Sequence, residues 1–209
     1  MKLEGDHVFA GPRQEVWEMI RDPEALSQAL PGESNLTKLS ETEYDGMMNV
    51  RIGPVSGTFT GKLVVTNEVP PESCTLTVDG KGAPGFAKGV GNVKFTEQDA
   101  NTTFMTYTGD LTVGGTLASV GQRRLDSVGK SIIRQGFEVL DKVLEVRLAN
   151  KAGQQAEFKA PTATEFGASV AKDMTRSWFQ IAEVRMLFYV VPVAIVIALI
   201  SLALSQCGR

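Results

Sequence analysis

The feature that most constrains this chain is a long amphipathic segment, Thr116 to Asn150, that follows nearly eighty residues of strand-like alternation. On a 3.6-residue period Leu117, Val120, Leu125, Val128, Ile132, Val139, Val143 and Val146 share one face, and Arg123, Lys130, Glu138, Lys142 and Glu145 fall mostly elsewhere. Such a stripe predicts a helix packed on another layer; fully helical, it would run about 50 Å, enough to cross a sheet. Gly121, Gly129 and Gly136 interrupt the stripe at spacings of eight and seven. Each costs roughly 1 kcal/mol of helix propensity relative to Ala, so each needs a compensation. Two are open: strands that approach the helix closely, or a cavity for an apolar guest.

The segments before the helix say what it packs on. Lys2 to Phe9 reads as a strand, Gly11-Pro12 opens a short helix, Asp22-Pro23 starts a second, and Pro31-Gly32 ends it. From Asn35 to Val113 six runs alternate with period two, separated by turn residues such as Gly53-Pro54, Pro70-Pro71 and Ala83 to Gly85. Thr103, Met105, Tyr107, Gly109, Leu111 and Val113 share one face of the last run, and Cys74, Leu76, Val78 and Gly80 one face of another. The order predicts an α+β fold, a curved seven-stranded antiparallel sheet wrapped around the long C-terminal helix, with glycines at 46, 57, 61, 80, 91 and 109 as bends. A curved sheet facing a helix short of side chains leaves a space, and its expected lining is Leu30, Phe59, Leu76, Phe86, Phe95, Tyr107, Leu117, Val120, Gly121, Leu125, Val128, Gly129, Ile132 and Gly136.

Several function classes are excluded by what the chain lacks. His7 is its one histidine, so neither a Ser-His-Asp triad with a spare base nor a multi-histidine metal site is expected, and His7 reads as an ordinary strand residue. Cys74 and Cys207 imply no disulfide framework or metal site. Residues 1–149 carry 15 Lys+Arg against 20 Asp+Glu, so the folded part has no nucleic-acid footprint, while residues 150–209 carry 6 against 4. The Gly80 to Gly91 segment lacks the ending of a phosphate loop and reads as a hairpin tip, with Phe86 either a packed turn residue or a docking point. Arg123 and Arg124 are either solvated charges or a grip for a partner.

The runs Asp22-Pro23-Glu24-Ala25-Leu26, Leu30-Pro31-Gly32, Gly53-Pro54-Val55-Ser56-Gly57-Thr58-Phe59, Gly80-Lys81-Gly82, Gly85 to Gly89 and Val113-Gly114-Gly115-Thr116-Leu117-Ala118 before Gly121-Gln122-Arg123 resemble the CoxG family, the G subunits of carbon monoxide dehydrogenase, in the START-like, Bet v 1-like (SRPBCC) superfamily. The resemblance spans about residues 1–148. It implies a helix-grip fold with an apolar cavity, no catalytic residues, and a partner, a molybdenum-containing carbon monoxide dehydrogenase or related molybdenum hydroxylase. Proteins of this family tether the enzyme to the membrane and help pass its electrons to quinone. A menaquinone or ubiquinone is then the expected guest, with a small cyclase- or hydrolase-like enzyme and a ligand-free tether as alternatives.

Four parts are expected: a ligand-binding domain over 1–149, a flexible polar linker over 150–163, an amphipathic helix over 164–185 beside the membrane, and a transmembrane anchor over 186–204. Met186 to Leu204 is nineteen residues without a charge between Arg185 and Arg209, long enough to span about 30 Å of hydrocarbon, with Pro192 as the place for a kink and Trp178 near the interface. The cations before the span place the domain on the cytoplasmic side of the plasma or inner membrane.

Overall fold

A computed structural model describes residues 1–31, 34–52 and 55–158. The strands are β1 (Lys2–Phe9), β2 (Asn35–Lys38), β3 (Glu43–Ile52), β4 (Val55–Val69), β5 (Ser73–Gly82), β6 (Gly85–Asp99) and β7 (Thr102–Gly114). They form one antiparallel sheet in the order β1-β7-β6-β5-β4-β3-β2. Between β1 and β2 lie helices α1 (Arg13–Ile20) and α2 (Pro23–Ala29). Asp22 starts α2 as the spacing predicts: its Oδ1 accepts from Glu24 N at 2.8 Å, and Pro23 occupies the first helical position, where its missing N–H costs nothing.

The predicted C-terminal helix is two elements. Residues Gly115–Val120 form a short 3-10 turn, and α3 runs from Gln122 to Lys151. Gly121 separates them at φ +89°, a conformation that suits glycine, so its place on the helical stripe reflects a joint between elements and not a gap in a packed face.

Adjacent strands approach closely at Gly61 and Gly82. A Cβ added at Gly61 would collide with Asp79 O and Gly80 Cα, and one at Gly82 with Thr58 O, so only glycine lets adjacent strands coil this tightly. Pairing then sets the inner face. Leu36, Gly46, Gly61, Gly80, Ala87 and Val113 lie in register on successive strands, and Leu76, Gly91, Gly109 and Leu3 in another such row. The concave face is thus nearly bare of side chains across its middle.

Two separate hydrophobic clusters flank that bare band. The larger joins α1, α2 and the C-terminal half of α3 to one end of the sheet through Phe9, Val16, Trp17, Met19, Tyr44, Phe95, Met105, Val139 and Leu144. The smaller, at the other end, is Phe59, Leu117 and Leu125 with Met1, Val55, Val113 and Val120 against them. After α3 the chain turns at Gly153, Ala156 N donates to Asn150 Oδ1 at 2.9 Å, and Phe158 packs against the larger cluster with Lys142 Nζ 5.9 Å from its ring centroid. The first part of the expected flexible linker is therefore folded back on the domain. Residues 159–209, including Trp178, Arg185, Met186, Pro192 and Leu204, lie outside the described residues, and among the described residues no helix is long and apolar enough to cross a membrane.

Candidate functional site

The candidate site is the band between the two clusters. Leu3, Val78, Ala87 and Leu111 on the inner face of the sheet, and Val128, Ile132 and Ile133 on α3, belong to neither cluster. Val78 is decisive. It pairs with Leu63 and Gly89 on the concave face, yet is 41% exposed, so solvent reaches the inside of the sheet at that point. Backbone to backbone, α3 comes closest to β1, α1, α2 and the 3-10 turn, and it reaches the central strands through side chains of the two clusters. A Cβ added at Gly80 would meet nothing nearer than Ala87 O at 3.7 Å, and one at Gly91 nothing nearer than Thr108 O at 3.4 Å. The side chains around the band are aliphatic; Tyr107, whose phenol is pushed up by burial and by Asp6, lays its hydroxyl over Gly5 of β1 beside the larger cluster.

The expected lining residues divide into four groups. Leu76 and Tyr107 are half-buried on the inner face beside the larger cluster, while on α3 Val128 is buried and Ile132 half-buried, neither of them in the two clusters. Phe95 is instead 1% exposed, edge-on to Trp17 at 6.0 Å, and closes one end. Phe59, Leu117, Val120 and Leu125 close the other. Leu30 is half-buried at the end of α2.

The remaining expected residues have other neighbours. Gly136 faces α2: an added Cβ there would meet Ala29 O at 3.1 Å and nothing else within 4 Å. Gly129 lies against Met1 and Leu3 of the β1 end, with Met1 Cε 2.8 Å from an added Cβ, and Gly121 is exposed at the joint. Phe86 is on the outer face, its ring lying over its cross-strand partner Gly114, and so faces away from the concave band. The helix glycines thus serve close packing and a turn, and the room comes from the sheet glycines.

Sequence reasoning missed the clasp at the β1 edge. His7 Nε2 is 2.9 Å from Asp141 Oδ1, and its ring stacks on Phe137 at 4.6 Å with 17° between planes, tying α3 to β1. Tyr107 meets the same Phe137 ring at 5.6 Å. The signal was present, because His7 shares its strand face with Leu3 and Phe9, but its partner is 134 residues away. Also missed were Ser131 and Gln135, buried polar residues one turn apart whose side chains bond at 3.3 Å, on the stretch of α3 that α2 crosses.

A concavity of about 300 Å³ lies on the outer face, lined by Ser73, Thr75, Asn92, Lys94, Thr106 and Thr108 among others. There Asn67 donates to Thr75 Oγ1 at 3.3 Å and Thr75 to Asn92 Oδ1 at 2.9 Å. Cys74, Val93 and Tyr107 line it beside these hydroxyls and amides. Among the described residues no group of three or more His, Cys, Asp or Glu is placed to hold a metal ion.

The profile of the CoxG family, described as the G subunit of carbon monoxide dehydrogenase, matches residues 5–145. The chain belongs to that family. Comparison with curated proteins gives no match. Among solved structures, a conserved protein from Geobacillus kaustophilus is 32% identical over 69% of this chain and 95% of its own, at a TM-score of 0.66. The ZhuI aromatase/cyclase of Streptomyces sp. R1128 is 15% identical over 74% of this chain and 98% of its own, at 0.57. A START superfamily protein from Mycobacterium smegmatis is 14% identical over 69% and 97%, at 0.53. The last two share the fold alone. For this member of the CoxG family they support the helix-grip architecture, a sheet holding one long helix across its concave face.

Proposed function

We propose that the chain is a membrane-anchored accessory protein that carries an apolar molecule, an isoprenoid quinone such as menaquinone, in the band between its two clusters. It recruits a cytoplasmic molybdenum-containing carbon monoxide dehydrogenase, and so assists electron delivery to the quinone pool. The observation that carries this reading is Val78, an apolar side chain on the concave face left 41% exposed among glycines that hold its neighbours back. An open apolar space of this kind gains from any apolar guest that displaces its water, at about 25 cal/mol per Å² covered. The fused ring and the isoprenoid chain of a quinone both supply such surface. Family membership supports the dehydrogenase as partner. The apolar run Met186–Leu204 supports the anchor.

The experiment is solvent extraction of the purified full-length protein followed by mass analysis of the extract. Near-stoichiometric quinone is expected. A chain that purifies empty and takes up no added quinone would overturn the carrier reading in favour of a tether, and turnover of an added polyketide-like substrate would overturn it in favour of a small enzyme.

A further inference from the structure

Charge is unevenly placed along the strand axis. Around α1 and the turns at the larger-cluster end stand Glu15, Glu18, Glu24, Glu41, Glu72 and Glu97, several paired internally, as in Lys151 with Glu15 at 2.7 Å. The opposite end carries exposed Arg51, Lys81, Arg123 and Arg124. Pairing and packing gather these cations. Lys81 is the register partner of Phe86, Gly57 of β4 lies against Pro84 of the β5–β6 turn, and Arg51 pairs with Ser56 beside it. Leu117 N donates to Pro84 O at 2.9 Å, which joins the 3-10 turn to this tip, and Arg123 and Arg124 follow in the first turn of α3. Beside Lys81, Phe86 is 39% exposed over Gly114.

We propose that this end of the domain docks on an anionic phospholipid surface, with the Phe86 ring among the headgroups and Arg51, Lys81, Arg123 and Arg124 over the phosphates. The chemistry favours lipid over an acidic protein. A stable protein interface needs on the order of 1,000 Å² or more of complementary surface, whereas a two-residue hairpin turn and one 3-10 turn present a single aromatic ring surrounded by flexible cations. That combination suits a headgroup layer, where an aromatic ring finds both apolar and wet surroundings and each cation strengthens binding about fivefold. The same end is the thinly closed one. Its plug is the smaller cluster, Phe59, Leu117 and Leu125 with Met1, Val55, Val113 and Val120 against them, and the 3-10 turn that carries Leu117 begins at Gly115, φ +76°, and is followed by Gly121, φ +89°. Docking here brings the mouth of the cavity to the bilayer that holds a lipid-soluble guest. This purpose rests on the carrier reading, but the docking itself does not.

The test uses the full chain reconstituted in vesicles of phosphatidylcholine alone or mixed with phosphatidylglycerol. Trp fluorescence of Phe86→Trp is compared with that of the parent, whose Trp17 and Trp178 give the background. The added Trp should shift to the blue and be quenched by brominated lipid in the phosphatidylglycerol vesicles, and salt should reverse both effects. Adding Lys81→Gln, Arg123→Gln and Arg124→Gln should weaken the lipid-dependent signal roughly fivefold per charge removed. Quenching that is the same with and without phosphatidylglycerol, or is untouched by the three neutralisations, overturns the proposal. Quinone content is measured on the same variants after extraction. A chain that docks but holds no quinone indicts the carrier reading, and one that holds quinone but does not dock indicts this inference.

Discussion

Replacing Gly80 with Leu separates an open cavity from a filled core, and the partner substitution Gly136→Leu supplies the opposite sign. At Gly80 an added Cβ meets only strand carbonyls at 3.7 and 4.0 Å, with nothing from α3 in reach. Glycine inside a strand is worse than Ala by roughly 0.5 to 1 kcal/mol. The remaining three carbons of Leu gain about 0.8 kcal/mol each if fully buried, or about 1 kcal/mol in all at a site as open as Val78. The variant should be about 1.5 kcal/mol more stable, a rise of roughly 3 to 6 °C for a domain of this size. It should also lose quinone binding, because the new side chain stands where the guest would lie. At Gly136 the Cβ already meets Ala29 O at 3.1 Å, so Leu must push α2 away at a cost of about 1 to 3 kcal/mol, offset by about 1 kcal/mol of helix propensity. Calorimetry and quinone titration of both proteins read the contrast. If Gly80→Leu melts lower than the parent and still binds quinone, the reasoning fails.

His7→Ala removes both the contact to Asp141 and the stack on Phe137 and should cost about 1 to 2 kcal/mol in urea unfolding; a loss under about 0.5 would mean that the clasp does not hold α3. Burial, followed by the nearby Glu68, pushes the Cys74 thiol up to about 11. The folded chain then keeps a proton that the unfolded chain loses, so stability should be complete below the ordinary thiol range and fall as pH rises through it toward 11; a Cys74→Ala chain with the same alkaline slope would contradict this. Phe158→Ala should cost the full chain about 1 kcal/mol, because the ring packs on the larger cluster, and an unchanged melting curve would show that contact to be idle. Deleting Ser177 to Arg209 should leave a folded domain in the soluble fraction, and a pelleted or aggregated product would refute a separate anchor.

The elements were legible because each signal is local. Period-two alternation, Asp22-Pro23 and the apolar stripe of residues 122–151 are all read within a few residues of one another. What failed was the meaning of the glycines. A helical wheel places Gly121, Gly129 and Gly136 on one stripe, but it does not say that the stripe meets β1 at Gly129, α2 at Gly136 and nothing at Gly121. Phe86 failed for a related reason. The Pro84–Gly85 turn sets the phase of β6, and that phase puts Ala87 inside and Phe86 out.

The sheet glycines carried the answer but could not be read as one feature. Gly46, Gly61 and Gly80 stand fifteen and nineteen residues apart, so no window of sequence joins them, and only antiparallel pairing sets them side by side. Once they are side by side, two consequences of a missing Cβ act together. At Gly61 and Gly82 it lets the strands coil until the sheet curls toward α3, and at Gly80 and Gly91 it leaves the curled surface empty. A flat sheet with the same composition would let α3 settle onto β4 to β6, and a curled sheet with Val at these positions would fill the band with its own side chains. Curvature and bareness are both required for Val78 to stay open on a concave face, and in this chain one residue type provides both.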